Sequence, residues 1–323
     1  MITTEHLKEI QSGLFQIELP LPIRPSGVQV YLFHNGGESV LIDTGLDTEE
    51  SITVLHDSLK EAGADFSSIK FLICTHYHPD HYGAAKRIKQ LSGCDVFLHK
   101  ADAEYLLRCL LLNKSDYRKF LFSNGVPVNG DVLPPPPLRV LREYYSPVVP
   151  DRYVVHGERL EFGKVSLQAI STPGHTPGHM VLYWREQKVL LSGDHLLPHI
   201  TPHVGIHTGL EGDPLSDFLD SLRRLERLEI KQVLPAHGRC FGGHQTRILE
   251  MFSHHQERQA SIIRHLGYGP TTAYELALEL FDKSLPDLHK EIAAYEMLAH
   301  LELMKKTNQV HAQDENGIVR YSL

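Results

Sequence analysis

Cysteine is scarce. Cys74, Cys94, Cys109 and Cys240 are the only four thiols in 323 residues. No two stand as CxxC, and their spacing indicates no disulfide framework. Reduced thiols in a cytoplasmic protein are the expectation. Long apolar runs are also missing. The longest, residues 105–112, is broken by Arg108, well short of the ~18 residues a membrane span needs. The polar first thirteen residues lack the basic start and apolar core of a secretory signal. No membrane partner is expected. There is no basic excess either: 32 Lys and Arg against 40 Asp and Glu give a net charge of −8. That argues against a nucleic-acid scaffold. Hydrophobic content of 41% still suffices for a large core without staples.

Histidine is abundant, with 22 copies. It is the commonest metal ligand, so its placement along the chain matters. Short apolar runs at Leu14–Leu19, Val28–His34, Ser39–Asp43, Ile69–Cys74 and Val96–His99 read as strands, with a helix over Thr48–Ala62 and another over Gly83–Leu91. Ala101–Phe122 reads as one Leu-rich helical stretch. The run Pro134–Pro137 after it can be neither helix nor central strand. Residues of about 101–150 are therefore read as an insertion, either a lid or packing against the body. Strands resume at Val154–Leu160, Val165–Ser171, Met180–Trp184 and Lys188–Ser192. A helix over Asp213–Leu228 and a strand over Ile230–Leu234 complete a layered α/β pattern. This sets a catalytic domain at 1–245. Beyond it, helices at Thr246–Leu266, Thr272–Phe281 and His289–Lys306 precede two short strands around Asn316-Gly317, a winged-helix pattern over 246–323.

The densest signal is Thr75-His76-Tyr77-His78-Pro79-Asp80-His81, between a buried strand and a helix. His76 and His78, two apart in extended chain, point to one side and can grip one ion. Asp80 and His81 point elsewhere and can serve a second. In Pro173-Gly174-His175-Thr176-Pro177-Gly178-His179 the two histidines are four apart. Pro177 and Gly178 forbid the helix that would pair them on one ion. His175 is taken as the ligand and His179 as its support. Asp194 closes an apolar strand at Ser192-Gly193-Asp194, well placed to bridge two cations. His237 follows a strand at Leu234-Pro235-Ala236-His237. His195, His203 and Tyr77 are candidates to meet substrate. For the histidines the alternative is a solvated loop, and for Tyr77 a ring packed in the core.

Asp43-Thr44-Gly45, HxHxDH, PGHTPGH, SGD and PAHG occur in the order found in the metallo-β-lactamase superfamily. Over about residues 14–245 the chain most resembles its glyoxalase-II-like branch. The resemblance implies an αββα sandwich of two mixed sheets, an α+β fold, with the mostly helical winged-helix domain appended. It places His76, His78 and His175 on one metal and Asp80, His81 and His237 on the other, with Asp194 bridging and Asp43 in support. Broad-spectrum β-lactamases carry a cysteine where Asp194 stands, so the carboxylate favours the esterase-like branch.

The function expected is a hydrolase with two divalent ions, zinc before iron or manganese, whose bridging hydroxide cleaves a small-molecule ester, thioester or lactone. Asp80 is the expected catalytic carboxylate, orienting that hydroxide. The alternatives are an endoribonuclease or phosphodiesterase of the same fold and a mononuclear iron oxygenase. Residues 246–323 carry eight Lys and Arg against eleven Asp and Glu, a poor phosphate-binding balance. The expected role of this segment is packing or homo-oligomer formation rather than nucleic-acid binding.

Overall fold

The computed structural model describes residues 5–22, 26–128 and 142–323. The first sheet has seven strands in chain order: β1 (Leu7–Gln11), β2 (Leu14–Pro20), β3 (Gly27–Phe33), β4 (Ser39–Ile42), β5 (Ile69–Ile73), β6 (Asp95–His99) and β7 (Arg152–Val154). Pairing is antiparallel from β1 to β4 and parallel from β4 to β7. The second sheet contains β8 (Arg159–Phe162), β9 (Val165–Ser171), β10 (Met180–Trp184), β11 (Val189–Gly193) and β12 (Gln232–Pro235), ordered β12-β11-β10-β9-β8. Only its β11–β12 pair is parallel. Both sheets are mixed, as expected.

Period-two alternation stacks the layers. In β10, Met180 and Leu182 enter the core between the sheets, facing Tyr31, Phe33 and Ile73. Val181 and Tyr183 face the other way, onto Phe218 and Leu222 of α6 (Pro214–Glu226). On the outer face of the first sheet, Val30, Leu32 and Leu72 pack against Leu55 and Leu59 of α1 (Glu49–Glu61), and against Ile88 of α3 (Ala85–Ser92). Each such side chain stabilises the fold by about 1.5–3 kcal/mol. The one-turn α2 (Pro79–Tyr82) lies between them in sequence.

Two expected elements are divided. Ala101–Phe122 forms α4 (Lys100–Leu111) and α5 (Lys114–Ser123). Leu112 is extended, and the Asn113 side chain restarts the helix by accepting from the Asp116 N–H. Val154–Leu160 contains the end of β7 and the start of β8, which belong to different sheets. Apolar patterning reports burial and does not name the sheet that provides it. β1, too polar for such patterning, was not expected. The run Pro134–Pro137 lies outside the described residues.

The last segment comprises α7 (His244–Leu266), α8 (Ala273–Leu280), α9 (Asp287–Lys306) and the hairpin β13 (His311–Glu315) and β14 (Ile318–Ser322). Leu276, Leu298 and Leu301 find their apolar partners within the chain, in a core that includes Tyr117 and Leu121 of α5. The second helix of the insertion, α5, therefore packs with the C-terminal helices. Tyr105 and Leu106 of α4 join the core under the first sheet. Ile248, Met251 and Ala299 join the core over the second.

Candidate metal centre

Every candidate ligand follows a strand, and these strand ends meet at one edge of the sandwich. His76, His78, Asp80 and His81 follow β5, His175 follows β9, Asp194 follows β11, and His237 follows β12. Three sets of donor atoms gather there, each within 4.8 Å: His76, His78 and His175; His76, His81 and Asp194; and Asp80, His81 and His237. All seven residues are thus brought together. The Asp194 carboxylate is divided between them. Its Oδ2 lies 3.6 Å from His175 Nε2, while Oδ1 lies 3.5 Å from His81 Nε2 and 3.4 Å from His237 Nε2. Asp80 Oδ2 is 3.6 Å from His81 Nε2 and 3.3 Å from His237 Nε2.

Hydrogen bonds on the far side of each ring decide which nitrogen faces inward. His81 Nδ1 donates to Asp43 Oδ2 at 2.9 Å. His237 Nδ1 donates to the Gly27 carbonyl at 3.0 Å, and His175 Nδ1 to the His203 carbonyl at 2.8 Å. Thr75 Oγ1 gives its proton to the Asp43 carboxylate, so it accepts from His76 Nδ1 at 3.1 Å. Four rings therefore turn Nε2 to the centre, each backed by an acceptor, the usual device for fixing a ligating imidazole. His78 turns Nδ1 inward, 2.9 Å from His175 Nε2. Asp43 sits in the left-handed region at φ 64°, sparsely used by non-glycine residues. That turn puts its carboxylate beneath both Thr75 and His81.

The electrostatics call for positive charge. Burial pushes Asp80 up, yet His81 and His237 hold it at about 2. Burial pushes His237 down, yet Asp194 and Asp80 lift it to about 10. Asp194 is likewise held well below the carboxylate range by His237 and His81 against its burial. His76 Nε2, His81 Nε2 and Asp194 Oδ1 are buried with no hydrogen-bond partner among the described residues. A tetrahedral ion ~2.1 Å from each ligand atom separates those atoms by about 3.4 Å. The 3.3–3.6 Å gaps across the carboxylates match that spacing. Nitrogen and oxygen donors without thiolate suit divalent cations of the zinc, iron and manganese group, so the residues present fit such ions.

Residues 23–237 match the Metallo-beta-lactamase superfamily. The chain belongs to that superfamily. A metallo-beta-lactamase family protein of Thermus thermophilus is 31% identical and superposes with a TM-score of 0.86, covering 97% of this chain and 99% of that one. The probable metallo-hydrolase YqjP of Bacillus subtilis is 26% identical over 318 residues, 94% of this chain and 96% of its own length. The acyl-coenzyme A thioesterase MBLAC2 of Gallus gallus is 27% identical over 245 residues, 73% of this chain and 81% of its own. The metallo-beta-lactamase fold binds divalent metals, consistent with the His and Asp clusters here.

Two residues support this metallo-beta-lactamase centre from behind. His179 is fully buried. Its Nε2 accepts from the Asp194 N–H at 3.1 Å, so its Nδ1 donates to Thr172 Oγ1 at 2.8 Å. That holds the backbone of Asp194 rather than an ion. His179→Ala is expected to leave the metal content intact and to lower stability by about 1–3 kcal/mol, the cost of an unsatisfied buried N–H. Elemental analysis beside a thermal melt checks this, and loss of metal would show that His179 is itself a ligand. Asp102, in the first turn of α4, was not expected from sequence. It is fully buried and accepts from the Tyr77 N–H at 2.9 Å, Thr176 Oγ1 at 2.9 Å and the Gly178 N–H at 2.6 Å. One carboxylate thus ties the HxHxDH loop to the PGHTPGH loop. Burial pushes it up to about 7 against these three hydrogen bonds. Facing three donors, it fits its site as a carboxylate. Gly178 permits the approach, since a Cβ there would lie 2.5 Å from the Asp102 nitrogen.

The expected substrate residues fare differently. His195 is fully buried between His179 and Phe218, with neither ring nitrogen hydrogen-bonded among the described residues. It therefore lies behind the centre rather than on a pocket wall. Tyr77 is 3% exposed, its ring against Tyr105 and His78. Its contribution is the backbone: the N–H donates to Asp102 and the carbonyl accepts from Tyr145 Oη. His203 does stand beside the centre, through the carbonyl that backs His175.

Proposed function

We propose that the chain is a binuclear metal-dependent hydrolase of the glyoxalase-II-like branch, cleaving a small-molecule ester, thioester or lactone. The observation that carries this reading is the Asp194 carboxylate, one oxygen turned to His175 and the other to His81 and His237. His76, His78 and His175 would hold one cation and Asp80, His81 and His237 the other, with Asp194 shared. Zinc is the default for hydrolysis with such donors, and iron or manganese share the preference for nitrogen and oxygen. Two divalent ions supply Lewis acidity and lower the pKa of a water from ~15.7 toward about 7.

The chain's own residues position the reaction. Asp80 offers a carboxylate oxygen to orient the attacking water. Asp43, Asp102 and His179 hold the ligands in place before charge develops on the acyl oxygen, so little reorganisation accompanies it. Among the described residues the donor groups are formed by histidine and aspartate side chains, without a cysteine. The likeness to an acyl-coenzyme A thioesterase favours a thioester. For residues 246–323, the order of three helices and a hairpin, with a Thr271–Tyr321 bridge, supports a winged helix. Its excess of acidic residues favours packing over binding nucleic acid.

The test is a panel of acyl-coenzyme A thioesters, lactones, a phosphodiester and RNA, offered to the zinc-loaded and chelator-treated full chain. We expect a thioester or ester to reach kcat/KM of about 10⁴ M⁻¹s⁻¹ or more, lost on chelation and restored by metal. Cleavage of RNA or phosphodiester alone would replace this reading with the nuclease. Oxygen uptake by an iron-loaded form would replace it with the oxygenase.

A further inference from the structure

The His203 carbonyl that backs His175 is itself held from the C-terminal helices. The Ile206 N–H donates to the Tyr295 carbonyl of α9 at 3.1 Å. The His203 ring turns its Nδ1 toward Glu296 Oε2, also on α9, at 3.7 Å. Glu296 is only 15% exposed at its side chain. Its other oxygen lies 3.8 Å from Arg258 Nε of α7. Arg258 is anchored in turn: one amino group donates to the Leu280 carbonyl at 3.1 Å, and the guanidinium lies 4.2 Å over the Phe281 ring. Between loop and helix stands Gly205. A Cβ there would meet His203 Nε2 at 2.6 Å and Tyr295 Cβ at 3.0 Å. A side chain at Gly205 would have to displace the His203 ring.

We infer that Glu296 is a positioning residue for the metal centre: held by Arg258, it fixes His203, whose backbone carbonyl orients the ring of His175. The inference rests on His175 being a metal ligand. It makes the C-terminal helices part of the centre's support, although they supply no donor atom to it. The reasoning is that of any ligating imidazole. The acceptor on its far nitrogen sets ring orientation and basicity, and an acceptor on a loop is only as fixed as the loop. Here the Glu296 carboxylate facing the His203 ring and a backbone hydrogen bond to α9 hold that loop, with Arg258 of α7 behind Glu296. Glu296→Gln keeps shape and removes charge. Gly205→Ala perturbs the same contact sterically, at a backbone conformation open to other residues.

The experiment titrates metal-free full-length protein with Zn²⁺ against a competing chelator, and with Co²⁺ by absorption. Melting of the metal-free form is measured in parallel. We expect both variants to weaken one of two Zn²⁺ steps by about tenfold, to leave the other unchanged, and to alter the Co²⁺ absorption. Unchanged Zn²⁺ constants in both variants, with or without a lower melting temperature, would reduce Glu296 to a packing role and overturn the inference. If Glu296→Gln does not fold, Gly205→Ala decides alone by the same criterion. If the wild-type chain takes up no Zn²⁺, the metal centre itself fails and this inference with it. Two ions bound alike by wild type and variants overturn only the inference.

Discussion

On the binuclear reading proposed above, Asp194→Ala is expected to empty both cation sites, not one. Its two oxygens face different donor groups, Oδ2 toward His175 and Oδ1 toward His81 and His237. The variant should fall from two ions per chain to fewer than one by plasma emission. Hydrolysis should drop by about 10³ or more, corresponding to ~4 kcal/mol of lost transition-state stabilisation. His237→Ala is the control: it removes a donor from the Asp80, His81 and His237 group alone and should leave about one ion bound. A fully occupied Asp194→Ala protein would falsify the shared role, whatever its activity.

The second large effect is expected at a residue that holds no ion. Asp102→Ala leaves the Tyr77 and Gly178 N–H groups buried without an acceptor, at about 1–3 kcal/mol each. Thr176 Oγ1 loses its partner as well. With ~2–4 °C per kcal/mol for chains of this size, the melting temperature should fall by about 10 °C. Because the same carboxylate links the two ligand loops, Zn²⁺ affinity should also weaken by roughly 10- to 100-fold. Asp102→Asn keeps one acceptor but turns an amide N–H₂ toward a donor, so an intermediate loss is expected. Calorimetric melting of the metal-free protein separates the stability effect from the metal effect. A melt unchanged from wild type would show that the three contacts are dispensable.

The seven residues that gather at the strand ends were legible because their information is local. Histidines spaced by two in extended chain, a proline that keeps His78 out of the helix it caps, and a proline and glycine that break the 175–179 pair are all short-range facts. So were the strands that end at these residues: β5, β11 and β12 are mostly apolar, interrupted only by Lys70, Ser192 and Gln232. Asp102 was not legible. An aspartate in a first helical turn is ordinarily read as a favourable partner of the helix dipole, and its role here depends on contacts with residues 25 and 76 positions away. His195 misled for the opposite reason. Its place beside Asp194 suggested a pocket wall, but the turn after β11 directs its ring inward onto Phe218.

Sequence alone determined which groups could bind metal and that they stand at the ends of strands, because ligand chemistry and strand periodicity are carried by neighbours in the chain. Tertiary structure alone decided which nitrogen of each imidazole faces the centre, which way each oxygen of Asp194 points, and that α5 packs with α8 and α9. Those choices are set by acceptors and apolar surfaces brought close by folding, such as Asp43 for His81 at a separation of 38 residues and Gly27 for His237 at 210. A hydrogen bond reaches about 3 Å through space whatever the distance along the chain.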